Sequence, residues 1–175
     1  YRLQRQMCIR DSTWYMGGEA NGKVGVTNAV RQLVKEGADF IKIIATGGST
    51  RTSVQFRQSF NQEEINVIVE ESHKLGKLTA AHCVGNDGIL NALEAGIDTM
   101  KVRFDPKEPA MAAAIRIAAP NTFMSFSVPL VAAASKVEAV RLSYEAMEIG
   151  ADAIMCQWSP SFIEAATEAG VPVQG

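Results

Sequence analysis

The sequence predicts an α/β fold in which about six parallel strands alternate with helices, a partial (β/α)8 barrel of the TIM type. Three observations carry this. Short β-rich runs alternate strictly with amphipathic stretches. Five of the six helical stretches close on an acidic residue or a leucine and then a glycine, and a strand begins within a few residues without a hairpin turn. The strands are near-continuous apolar runs, as parallel strands buried on both faces are.

Residues 1–12, YRLQRQMCIRDS, are basic, lack an apolar core and show no periodicity, so they are no signal peptide. The run QMCIRDS also resembles a translated sequencing adapter, and the segment reads as a non-native scar outside the fold. The first helix, over residues 23–36, places Val26, Val30, Leu33 and Val34 on one face. Glu36-Gly37-Ala38-Asp39 ends it, and FIKIIA forms a strand over 39–45. Ile65, Ile68, Val69 and Leu75 make the apolar face of a helix over 62–75, and Leu75-Gly76-Lys77 leads into LTAAHC, a strand over 78–83. A helix over 86–95 stops at Glu94-Ala95-Gly96-Ile97-Asp98, before TMKV in a strand over 98–102. A helix over 107–118 precedes a strand over 122–127. Val137, Val140, Leu142, Tyr144 and Met147 give the helix over 135–149 a broad apolar face. Glu148-Ile149-Gly150-Ala151-Asp152 then opens a strand over 152–157. A helix over 160–169 ends in Glu168-Ala169-Gly170, and the last strand covers 171–174. Both ends read as truncated: Tyr1 is not a methionine, and Gly175 follows a strand that has just begun.

No G-x-G-x-x-G follows the first strand, and Gly47-Gly48 is too short to be a dinucleotide fingerprint, which favours the barrel over an open sheet. At 175 residues the chain is about three quarters of a whole barrel of ~250. Its 47% hydrophobic and 21% charged residues suit a globular protein and not a disordered one. A formal charge of -2 offers no basic field for nucleic acid or anionic lipid. The apolar stretches at 110–119 and 128–134 fall short of the ~20 residues of a membrane helix. Cys8, Cys83 and Cys156 neither cluster as zinc ligands nor suggest a disulfide framework, which fits a reducing cytoplasm. The partner expected is a small-molecule substrate; an oligomer is compatible.

Barrel chemistry lies at the carboxyl ends of the strands. Lys42 interrupts the apolar run Phe40-Ile41-Lys42-Ile43-Ile44, so its ammonium must reach water, find a partner or lose its charge. His82 closes Leu78-Thr79-Ala80-Ala81-His82 on the next strand. Either residue alone suits a structural role, a snorkelling lysine or a satisfied core imidazole. Together they point to a site. Lys42 also suits Schiff-base chemistry in an aldolase-like lyase. Cys83 points away from His82 by strand alternation and reads as a buried thiol. Residues 49–60 form the one long loop, whose Arg51 and Arg57 suit either a substrate carboxylate or a solvated surface.

The motifs GADFIKI, ATGG, EESHKLGK, AAH and EAGID, in this order within residues 14–100, resemble the amidohydrolase superfamily in its imidazolonepropionase and prolidase-like branch. The resemblance implies that Lys42 is carboxylated and bridges two divalent cations, zinc foremost, and that His82 ligates one of them. It implies hydrolysis of an amide or other C–N bond by metal-activated water. Burial would favour the neutral amine that captures carbon dioxide, and the resulting two-oxygen anion suits cations ~3.5–4 Å apart. His73 falls in the family's helix signature and reads as structural. The resemblance also implies a first-strand His-x-His pair and a last-strand aspartate, neither of which stands in the chain, and an acidic-His pair where Lys101 and Val102 stand. Only two of about six ligand positions are filled, so residues 13–102 read as an amidohydrolase-like fragment, inactive as it stands.

Residues 120–175 resemble the ketopantoate hydroxymethyltransferase and phosphoenolpyruvate mutase group, another barrel class. The aspartate, lysine and glutamate with which that group grips magnesium and a keto acid fall at Ser127, Met155 and Gln157, none of them charged. Residues 103–175 therefore read as a second barrel-like segment, fused to the first, with transferase or lyase activity as the alternative function and a non-catalytic α/β fragment as a further one.

Overall fold

The structure is a computed structural model that describes residues 6–10, 17–46, 57–156 and 158–174. The chain divides into two compact units, Tyr1–Met100 and Lys101–Gly175. The first contains β1 (Gln6–Arg10), β2 (Gly17–Glu19), α1 (Gly22–Lys35), β3 (Phe40–Ile44), α2 (Gln62–Lys74), β4 (Thr79–His82) and α3 (Asn86–Glu94). Strand β5 (Thr99–Arg103) runs through the boundary. The second contains α4 (Ala110–Ala118), β6 (Phe123–Val128), a 3-10 turn (Leu130–Ala132), α5 (Lys136–Glu148), β7 (Ala153–Cys156), α6 (Pro160–Glu168) and β8 (Val173–Gln174). From β3 onward this is the predicted alternation, the α/β architecture of a partial TIM-type barrel.

Within the first unit the strands lie in the order β2-β1-β3-β4, each pair parallel. Within the second, β6-β7-β8 are likewise parallel. Residues 6–10, read from sequence as outside the fold, form a strand whose register sets Cys8 opposite Lys42. A five-residue strand is too short for periodicity to reveal it, and backbone pairing places it instead. Helix α4 begins at Ala110, three residues later than expected. The amide of Lys107 donates to Asp105 Oδ1, holding that stretch in a turn, and Pro109 caps the helix.

The core of the first unit joins α1 to α2. Val26, Val30 and Leu33 are buried on one helix, and Ile65, Ile68 and Val69 on the other. Leu75 is exposed because it lies past the last turn of α2. Arg31 Nε donates to Glu71 Oε1 at 2.5 Å across the same pair. Each helix stops where its sequence says: Gly37 has φ +90° and Gly96 φ +77°, the left-handed conformation that glycine adopts without penalty. In the second unit Phe104 and Phe126 stack with centroids 6.0 Å apart.

The expected broad face of α5 is narrower. Its buried residues are Ala139, Leu142, Ser143 and Ala146, at spacings of three and four, while Val137 and Tyr144 are exposed. Small residues let this helix lie close, and Ser143 returns its hydroxyl to Ala139 O at 2.8 Å, so its polar group is satisfied inside.

Candidate active site

Strand β3 has two unequal faces. Ile41 and Ile43 are fully buried on one, whereas Phe40 and Lys42 on the other keep partial exposure. Strand β4 repeats this: Thr79 and Ala81 are buried, Ala80 and His82 half-buried. The second face of β3 is thus buried only in part, at Ile44, with Phe40 and Lys42 half-buried. Lys42 reaches solvent from its strand. Parallel register pairs Lys42 with Ala80 and Ile44 with His82. Alternation therefore puts Lys42 and His82 on the same face, on adjacent strands and two residues apart, a Cα separation of roughly 8 Å from strand geometry.

His82 ends β4 with its carbonyl accepting from Ala45 N at 3.0 Å. Beyond β3, Ala45 and Thr46 are fully buried. Thr46 forms an antiparallel bridge with Gln58, and Ser59 N donates to Ala45 O at 3.0 Å. The chain thus leaves β3 and returns to the same strand end beside His82. Arg57, next to Gln58, is exposed at that end; Arg51 and most of the expected loop lie outside the described residues.

Lys42 and His82 suit two positions of a metal site, one through a carboxylated amine and one through imidazole. Among the described residues no group of three His, Cys, Asp or Glu side chains is arranged to hold a metal ion. At the positions where an acidic-His pair was expected, Lys101 is half-buried and Val102 buried on β5. Ser127 and Met155 are register partners on β6 and β7 and carry no charge, which leaves the magnesium grip of the second resemblance without two of its members; Gln157 lies outside the described residues. Cys83 is buried, its thiol pushed up to about 12 by desolvation, and its Sγ contacts Gly88 O at 3.6 Å. Burial likewise raises Cys156. Neither is poised as a nucleophile.

His73 lies far along α2 from this face, with Nε2 2.7 Å from Asp98 Oδ2. That same oxygen accepts from Thr79 N at 2.8 Å and Thr79 Oγ1 at 2.6 Å, so the histidine is part of a structural cluster at the amino end of β4. The sequence reading missed Thr46 and Gly88. The glycine after a histidine-ended strand was visible; its close neighbour was not.

A family model described as the amidohydrolase family matches residues 7–169. The chain belongs to the amidohydrolase family. The match begins within β1 and runs through the end of α6. Ochratoxinase of Aspergillus niger is 38% identical over 84 residues, 47% of this chain and 17% of that protein. Among solved structures, a Xaa-Pro dipeptidase with methionine bound in its active site is similar at 26% identity and TM-score 0.53, over 89% of this chain and 38% of that one. The structure of Aspergillus niger ochratoxinase is similar at 22% identity and TM-score 0.54, over 90% and 35%. The amidohydrolase chain described here therefore spans under a fifth of its curated relative and well under half of these structures. Among its described residues no helix is long and apolar enough to cross a membrane.

Proposed function

We propose that this amidohydrolase-family chain carries part of the active site of a zinc-dependent hydrolase that cleaves an amide or related C–N bond in a small molecule. The observation that carries this reading is the common face of Lys42, midway along β3, and His82, at the carboxyl end of β4 where barrel enzymes do their chemistry. When bound, a divalent cation would supply a Lewis acid and an activated water. The chain's own part is to hold that cation: Lys42 through the two oxygens of a carboxylated amine, His82 through a neutral ring nitrogen. The bridge at Gln58 brings Arg57 to the same strand end, where its guanidinium would hold a carboxylate on the substrate. Substrates with an amino-acid carboxylate beside the scissile bond suit this arrangement. The likeness to a Xaa-Pro dipeptidase supports that class. Residues 103–175 then belong to the same family, which the match through residue 169 supports.

Zinc content after loading and gel filtration tests the reading. Lys42→Ala and His82→Ala are each expected to lower bound zinc by about tenfold or more. Unchanged zinc in Lys42→Ala would refute a metal role for that lysine. Where an Xaa-Pro dipeptide is hydrolysed, Arg57→Ala should raise KM far more than it lowers kcat.

A further inference from the structure

In a parallel ladder an amide of one strand donates to a carbonyl of the next at every second residue. Ala45 N donates to His82 O at 3.0 Å, so the next bond of the ladder would run from Val84 N to Ala45 O. That carbonyl instead accepts from Ser59 N at 3.0 Å, on the returning segment. Val84 N turns to Thr46 Oγ1 at 2.8 Å. A side-chain hydroxyl has replaced a backbone carbonyl at the point where three segments meet: the end of β3, the residues following His82, and the return through Gln58.

The threonine is held from its other side as well. A Cβ placed on Gly88, in the first turn of α3, would lie 2.2 Å from Thr46 Cγ2 and 3.4 Å from Ala45 O. Only glycine leaves room for the methyl. Thr46 is fully buried, so its rotamer is set by contact with Gly88 and by the bond to Val84.

We propose that Thr46 is a positioning residue: its hydroxyl completes the β3–β4 ladder past His82, freeing Ala45 O for the returning loop, and its methyl, seated on Gly88, fixes that hydroxyl in place. His82 is thereby locked by a bond at its own carbonyl and another two residues on. Its importance for catalysis rests on the proposed function, but the geometry is testable without metal or substrate.

The chain has only two histidines, His73 and His82, so their ring resonances are separable with one His73→Gln variant. Thr46→Val keeps the shape and removes the acceptor; it should speed hydrogen exchange at the Val84 amide by about tenfold or more and move the His82 ring resonances while leaving those of His73. Thr46→Ser keeps the hydroxyl but loses the methyl that fixes it, and should fall between the parent and Thr46→Val in both readouts. Gly88→Ala should lower Tm by roughly 5 °C or more, and adding Thr46→Ser should recover at least half of that loss by removing the methyl. A protected Val84 amide in Thr46→Val, equal movement of both histidines, or no recovery in the double variant would overturn the proposal. Zinc analysis of the parent separates the two ideas: a chain that fails to bind zinc yet shows these responses refutes the metal reading and leaves the positioning role standing.

Discussion

A single carboxylate oxygen illustrates how much one residue can hold. Asp98 Oδ2 accepts from His73 and twice from Thr79, whose hydroxyl also accepts from Asp98 N at 3.2 Å. Burial on its own would raise the Asp98 pKa, but these hydrogen bonds outweigh it and the carboxyl titrates below its ordinary value. A depressed pKa means that its stabilisation is present above the unfolded value of ~3.9 and is lost as pH falls through the folded one. Asp98→Asn should therefore cost about 1–3 kcal/mol at pH 7. The difference in urea midpoint between parent and variant should shrink below about pH 4; a constant difference down to pH 2.5 would contradict this. Cys83 gives a second test. With its thiol near 12, it should react with iodoacetamide at pH 8 at least about a hundredfold more slowly in the native chain than in urea, read by peptide mass spectrometry. Lys42 and His82 were legible in the sequence because a lysine and a histidine break apolar strands. Thr46 was not, since a buried threonine at a strand end looks like any other β-branched residue.

Helix ends show the same economy among elements. Asn61 and Glu64 form a reciprocal capping box on α2, with bonds of 2.9 Å each way. The second oxygen of Glu64 accepts from Gly22 N, the first residue of α1, at 2.7 Å. One carboxylate thus serves the amino ends of two helices, where the helix dipoles also favour it. Asn61→Ala should cost ~1 kcal/mol, and Glu64→Ala more, because it removes the carboxylate bonds to the Gly22 amide and the Asn61 cap amide together; equal losses in chemical denaturation would argue against the shared role. On α5, Ala139→Leu should destabilise by about 1–3 kcal/mol and Val137→Ala by less than ~0.5. The helices and their ends were readable from apolar spacing and glycine. The buried face of α5 was not, because alanine and serine carry little hydrophobic signal and the valine and tyrosine that do carry it face outward.

Across the whole molecule one device recurs. In the first unit Asp98, just before β5, takes the Thr79 amide of β4 and a side chain of α2; in the second, Asp152, just before β7, takes the Met124 amide of β6 at 2.8 Å and Arg116 of α4. The recurring Gly-x-Asp was visible in the sequence, but its partners, a histidine once and an arginine once, share no pattern. Arg116 also donates to the carbonyls of Gly150 at 2.7 Å and Thr122 at 2.9 Å, and it lies where any Cβ on Gly150 would fall, 2.6 Å from its Cγ. Arg116→Lys cannot reproduce the planar fork and should lose nearly as much Tm as Arg116→Met; a lysine variant as stable as the parent would show that charge alone suffices. Strand β1 escaped the sequence reading, as did the family's hold on the second unit, for a related reason: short strands and shared barrel grammar look alike across unrelated enzymes until pairing and full-length matching distinguish them. The crossing of Thr46 with Gln58 bears on how such a chain diversifies. Since the segment between them starts and ends at one sealed base, doubling its length would add only ~0.6 kcal/mol of closure entropy. Insertions between these two residues should therefore leave the scaffold beneath them as it was.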